Sequence, residues 1–76
     1  MSEFDHKLDV RGLHCPLPIL RARNQLNSLS SGEVLYVIAT DSDSVKDFDA
    51  FCRQTGNTLL DNNEADGMYH FYIKAA

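Results

Sequence analysis

The stretch Val34-Leu35-Tyr36-Val37-Ile38-Ala39 constrains the fold more than any other. It is short, rich in β-branched residues and apolar without interruption, as expected of a central strand covered on both sides. In a chain of 76 residues the cover must come from the neighbouring segments. A domain this small buries only about three-fifths of the surface its unfolded chain exposes, so its core is thin. Residues 16–29 contain no glycine and repeat Ile19, Ala22, Leu26 and Leu29 at helical spacing. Ser30-Ser31-Gly32 suits the turn that ends such a helix. On the other side, Asp41-Ser42-Asp43 offers an N-cap and first-turn acids for a second helix. Val45, Phe48 and Cys52 form its apolar face, Phe51 lies at the edge of that face, and Gly56 ends it.

The remaining strands are shorter signals. Leu8 and Val10 alternate with Lys7 and Asp9, the pattern of a half-buried strand. Residues 58–64 form a weaker strand, because Asp61, Asn62 and Asn63 sit inside it. Asp66-Gly67 is a hairpin turn signal. Beyond it Tyr69, Phe71 and Ile73 face the core, alternating with Met68, His70, Tyr72 and Lys74. A two-residue turn would pair polar positions with that apolar face, so the pattern leaves the register open. His6 and His70 are expected to face solvent. The order is β-α-β-α-β-β, and right-handed crossovers put both helices on one side of the sheet. The predicted fold is an α/β (α+β) two-layer sandwich, a four-stranded mixed sheet with two helices on one face, in one domain over residues 1–76. The other sheet face stays partly open as a docking surface.

Composition excludes several functions. An apolar share of 43% is that of a folded globule. The net charge is −4 and the basic residues are scattered, with only Arg11, Arg21 and Arg23 near enough for a small patch. Direct nucleic-acid binding, which needs clustered Lys and Arg, is not expected. Arg21 and Arg23 read first as the solvated side of a helix, and Asp41, Asp43, Asp47 and Asp49 as capping and a wet helix face. The N-terminal residues lack a basic start followed by an apolar run, and no stretch approaches the roughly 18 apolar residues that span a bilayer. A cytoplasmic monomer without membrane contact is therefore expected, in a compartment where structural disulfides are rare. Cys15 and Cys52 with three scattered histidines match no zinc spacing, so neither metal nor cofactor is implied. Cys52 belongs with the packing face of its helix. So short a chain has no room for a deep, walled active site. Its chemistry belongs at the surface, with a partner supplying the other half.

That chemistry concentrates in Asp9-Val10-Arg11-Gly12-Leu13-His14-Cys15-Pro16-Leu17-Pro18. The pattern places Cys15 at the N-cap of the first helix and Pro16 at its first position, where proline's fixed φ and missing N–H are both tolerated. The positive helix end would then favour the thiolate. An unperturbed thiol is roughly a tenth ionised near pH 7.5, and one unit of depression makes it about half ionised. Pro18 removes a second N–H from the helix start, and Gly12 lets the chain bend between strand and helix. Arg11 and His14 are near enough to add positive charge. Leu13 and Leu17 flank the sulfur with apolar surface that a partner could grip. A dithiol mechanism is disfavoured, since Pro18 stands where the second cysteine of Cys-x-x-Cys would be.

The motif resembles that of the TusA (SirA-like) family of sulfur carriers, whose hallmark is Cys-Pro-x-Pro at the start of the first helix. Asp9 and Gly12 match the preceding Asp-x-x-Gly-x-x, and the resemblance runs over essentially the whole chain. It implies that Cys15 is a persulfide carrier, loaded by a cysteine desulfurase or a rhodanese and unloaded onto a downstream acceptor protein. In the best-known route the sulfur reaches the 2-position of a tRNA wobble uridine. Other members serve molybdenum-cofactor enzymes or sulfur oxidation. Leu17 stands between the prolines, where tRNA-pathway members carry an acidic residue. The alternative of another class is a non-catalytic regulatory or adaptor domain that binds a protein partner through the open sheet face and ignores Cys15.

Overall fold

The computed structural model describes residues 4–76, so the first three positions of the domain and of the N-terminal stretch considered above lie outside the described residues. The elements follow the expected order: β1 (His6–Val10), α1 (Leu17–Asn27), β2 (Val34–Ala39), α2 (Ser44–Thr55), β3 (Thr58–Ala65) and β4 (Met68–Lys74). They form one four-stranded mixed sheet in the order β1-β2-β4-β3. β1 runs parallel to β2, while β4 is antiparallel to both β2 and β3. The parallel pair forces a crossover, and α1 supplies it.

Leu35, Val37 and Ala39 of β2 have no solvent exposure and form the floor of the core. Phe71 and Ile73 of β4 and Val10 of β1 continue that floor, again without exposure. The helices cover it. α1 turns Pro18, Ala22 and Leu26 inward, spaced four apart, with Ile19 and Leu29 packed at the margin. α2 turns in Ser44, Phe48, Phe51 and Cys52. Phe48 meets Phe71 with ring centroids 4.6 Å apart, the central aromatic contact between the layers.

Three details depart from the sequence pattern. Phe51 is a core residue and Val45 is 40% exposed, so the α2 face is rotated from the one the Val45–Phe48–Cys52 spacing suggested. α1 stops at Asn27 because the Ser28 hydroxyl donates to the Gln25 carbonyl at 2.7 Å, ending the regular helix before Leu29. β2 is roofed by backbone layers on one side only. On its other face Tyr36 stacks on Tyr72 at 4.8 Å between centroids, and Phe4 lies 5.1 Å from Tyr36. Ile38, on that same face, is 7% exposed.

The hairpin register is resolved by a bulge. Asp66 and Gly67 both take positive φ, 55° and 77°, the backbone that a two-residue turn with the right twist requires. Ala65 then pairs with Met68, which sets Asn62 opposite Phe71 and Glu64 opposite Tyr69. That is the polar-on-apolar pairing the turn implied. Between Asp61 and Leu59 the ladder shifts by one residue, so Leu59 faces Ile73 and Leu60 is pushed out to 49% exposure. The polar residues are tolerated because this end of β3 stays exposed. Nor do the histidines simply face solvent: the His70 Nδ1 is 2.6 Å from the Tyr36 hydroxyl, and the His6 Nε2 is 3.4 Å from Glu33 Oε2, both half-buried.

Phe71→Ala removes a ring from the centre of both layers. It should cost about 3–5 kcal/mol, a large part of the 5–15 kcal/mol typical of a whole domain. Denaturant titration of the variant against the parent chain measures this, and a loss below about 1 kcal/mol would contradict the packing described.

Candidate functional site

The site begins where β1 ends. Val10 is the last core residue of the strand, and Gly12 turns the chain with φ of 80°, a conformation that a side chain would strain. The Gly12 N–H donates to the Thr40 hydroxyl at 2.8 Å, tying this turn to the end of β2. Asp9 clamps the turn from the other side. Its carboxylate accepts from the Arg11 backbone N–H at 3.0 Å and from the guanidinium at 2.7–3.1 Å. The Arg11 side chain is the main cause, and its backbone N–H the next, holding the Asp9 pKa down to about 2. Arg11 is thus occupied within the chain and adds no free positive charge to the sulfur.

Cys15 lies one residue further from α1 than the spacing suggested. Pro16 holds the N-cap position, Leu17 is the first helical residue and Pro18 the second. The Cys15–Pro16 peptide is cis. The Leu17 N–H donates to the His14 carbonyl at 2.8 Å, and the Leu20 N–H to the Pro16 carbonyl at 3.1 Å. Cys15, His14 and Leu17 are exposed, Leu13 is tucked against the core, and Pro18 is buried. Pro18 therefore packs as well as removing an N–H, a role its charge-free position in the motif could not reveal.

The sign of the sulfur's electrostatics is the opposite of what the helix start implied. The Cys15 thiol is pushed above its ordinary pKa, first by a hydrogen bond to the Asp47 carboxylate, then by partial desolvation and by the negative charges of Asp47, Asp41 and Asp43. A sulfur outside the N-cap is set back from the helix end, and the dipole's influence fades within one turn. The nearby carboxylates prevail. Asp41 is placed there structurally: its Oδ2 accepts the Cys15 backbone N–H at 2.8 Å and its Oδ1 the Asp43 N–H at 3.2 Å. Those two bonds lower the Asp41 pKa. Asp43 occupies the N-cap of α2 without a side-chain capping bond. Of the acidic run, then, Asp41 and Asp47 belong to the site, which the sequence pattern had treated as capping and solvated surface.

Cys15 opens onto a cleft of about 340 Å³ between the two helices. Pro16, Ile19 and Arg23 line one wall, and Asp47, Phe51 and Thr55 the other. Arg23 thereby joins the cleft, whereas Arg11 stays with Asp9, so the two do not form one patch. Ile19 and Arg23 are one helical turn apart, as are Asp47 and Phe51 on α2, which gives both walls an apolar floor with polar ends. Cys52 sits apart, 4% exposed, its pKa pushed up to about 11 mainly by burial. Both cysteines are free thiols. Among the described residues no group of three His, Cys, Asp or Glu side chains is placed to hold a metal ion.

An exposed cysteine ahead of a proline-bound helix start, on a two-layer sandwich of this topology, defines a class of small thiol-presenting proteins. Known proteins narrow it. The family model of sulfurtransferase TusA matches residues 6–75. The sulfur carrier protein TusA of Allochromatium vinosum is 62% identical over 74 residues, 97% of each chain. The crystal structure of the SirA-like protein of Desulfitobacterium hafniense superposes with a TM-score of 0.84 at 26% identity, covering 95% of this chain and 99% of that one. The chain belongs to the TusA family.

The two cysteines should separate cleanly by reactivity. At pH 8 a thiol of pKa about 11 is ionised in roughly one molecule per thousand. Iodoacetamide should therefore add a single label, on Cys15, to the native chain and two in denaturant, as read by intact mass. Labelling of Cys52 at the Cys15 rate in the native protein would contradict its burial.

Proposed function

We propose that this chain is a cytoplasmic sulfur carrier that accepts sulfur as a persulfide on Cys15 from a cysteine desulfurase or a rhodanese and relays it to an acceptor protein. The observation that carries this reading is the exposure of Cys15 at the mouth of the α1–α2 cleft, on a turn held by Asp9, Gly12 and Asp41. Membership of the TusA family and the name of the Allochromatium vinosum relative support it. No helix among the described residues is long and apolar enough to cross a membrane, which is compatible with that location.

The transfer is a thiol–persulfide exchange. The Cys15 thiolate attacks the outer sulfur of the donor's persulfide, a new S–S bond forms to Cys15, and the donor's own S–S bond breaks. Its electron pair leaves on the donor thiolate, which takes up a proton. Delivery repeats the step with the acceptor's thiolate as nucleophile and Cys15 as leaving group. No net oxidation occurs. The cleft beside the sulfur provides room for the partner group that brings or takes it, and the exposed Leu17 lies beside the mouth as apolar contact surface. The acceptor sets the destination. In the family's tRNA route that is 2-thiolation of a wobble uridine, and we place this chain as the relay upstream of such a step.

Incubation with a cysteine desulfurase, cysteine and pyridoxal phosphate, or with a rhodanese and thiosulfate, tests the reading. Intact mass should show a gain of one sulfur atom that reductant removes. Cys15→Ser should abolish the gain with the fold preserved, and Cys52→Ser should leave it unchanged. Absence of any gain with either donor, together with partner binding that ignores Cys15, would favour an adaptor working through the open Tyr36–Tyr72 face instead.

A further inference from the structure

We infer that the α1–α2 cleft is a binding site for a small zwitterionic persulfide, cysteine hydropersulfide, from which Cys15 takes sulfur without a donor protein. Arg23 receives its carboxylate and Asp47 its ammonium group. This use of the cleft rests on the carrier reading above and adds a small-molecule donor to the protein donors.

β1 and β2 are parallel and each leads into a helix, so α1 and α2 start at the same edge of the sheet. One face of each helix lines the cleft. Pro16, Ile19 and Arg23 recur at intervals of three and four residues on the α1 side, and Asp47, Phe51 and Gln54 at four and three on α2. The middle of each wall, Ile19 and Phe51, is apolar. The functional groups stand in order along it. Cys15 is at the head of the cleft. Asp47 lies three residues into α2, about 4.5 Å along the axis, and Arg23 six residues into α1, about 9 Å.

The two charges occupy opposite walls and do not neutralise each other. Among the described residues Asp47 has no Lys or Arg within 4 Å, and Arg23 has no Asp or Glu within 4 Å. Other acids of α2 and its N-cap find a cation on the same helix: Asp43 has Lys46 at 3.7 Å, and Asp49 is bonded to Arg53. Asp47 is half-buried, so its unpaired charge faces the cleft at some cost in solvation.

Cysteine hydropersulfide carries its own groups in a matching order. The outer sulfur is at one end, and the ammonium and carboxylate groups share one carbon at the other. With the outer sulfur at Cys15, the ammonium group falls at Asp47 and the carboxylate further in, where the guanidinium fork of Arg23 can take both oxygens. The methylene between them rests on Ile19 and Phe51. A cleft of about 340 Å³ is at the small end of ligand sites, which suits an amino acid better than a larger molecule. The Cys15 thiolate attacks the outer sulfur and forms a new S–S bond while the hydropersulfide's own S–S bond breaks. Cysteine leaves with that electron pair as its thiolate and takes up a proton. Cys15 retains the outer sulfur as its persulfide.

The test compares the hydropersulfides of L-cysteine, of cysteamine, which lacks the carboxylate, and of 3-mercaptopropionate, which lacks the ammonium group. Loading of the parent, Arg23→Gln and Asp47→Asn is followed by intact mass at pH 7.5, with Cys15→Ser as the blank and thermal melts showing that each is folded. Each rate is divided by that of the same reagent with N-acetylcysteine, which removes differences between the reagents. A change in the reactivity of the Cys15 thiol acts on all three alike, so ratios within one variant report contacts to the reagent. In the parent, L-cysteine hydropersulfide should load about two- to fivefold faster than either truncated reagent, the scale of one exposed charge pair. Arg23→Gln should erase the preference over cysteamine and keep that over 3-mercaptopropionate, and Asp47→Asn should do the reverse. Equal normalised rates in the parent, or no loading by any of the three, overturn the site. So does a preference over cysteamine that survives Arg23→Gln, or one over 3-mercaptopropionate that survives Asp47→Asn. Loading by a desulfurase or a rhodanese, measured in parallel, decides the protein relay separately: success there without discrimination among the small reagents keeps the relay and removes the cleft site.

Discussion

The buried inner face of β2 is the constraint on which the rest of the molecule depends. Leu35, Val37 and Ala39 reach no solvent, and β2 is hydrogen-bonded on both sides, to β1 and to β4. A strand so placed can be relieved of water only by a layer laid across it, and in this chain α1 and α2 are the elements that do it. Because β1 enters parallel to β2, the chain must cross over between them, and α1 leaves the same sheet edge from which α2 leaves after β2. The sulfur-bearing turn and the β2–α2 loop are neighbours for that reason.

That adjacency governs the chemistry. Two hydrogen bonds cross between the loops, from Gly12 to Thr40 and from Cys15 to Asp41, and both are made by backbone N–H groups of the motif. A turn so held presents its side chain in a fixed direction, which is what a transfer site on a thin domain needs in place of a deep pocket. The same contact surrounds the sulfur with carboxylates. The helix start and the acidic residues act on Cys15 in opposite senses, and the acids prevail: the sulfur lies outside the N-cap, whereas Asp41 bonds the Cys15 backbone N–H and Asp47 lines the same cleft.

Patterns local to one element were legible beforehand. The Val34–Ala39 run, the Ala22–Leu26 spacing, the alternation of Tyr69, Phe71 and Ile73, and the Asp66-Gly67 turn each carry their own period or backbone requirement. Patterns that needed a partner element were not. Phe51 outranks Val45 in the core because of where α2 lies over Phe71, and helical spacing alone admits either choice. The bulge at Leu60 has no residue of its own to announce it. It follows from a turn that sets one register and a core that demands another. Within the site, Cys15 stood out through its flanking prolines, while Asp41 and Asp47 looked like ordinary members of an acidic helix start. Their separations from Cys15, 26 and 32 residues, leave no local signal.

The sequence by itself determined the order of elements, the two-layer architecture and the cysteine that the chain displays, because each rests on short-range periodicity, proline geometry or glycine φ. The direction in which the pKa of that cysteine moves, the composition of its cleft and the register of the last hairpin come from the tertiary structure alone. Each of these is a contest between groups distant in the chain. Electrostatic and packing energies depend on separations in space, and those exist only once β2 has drawn both helices onto its face.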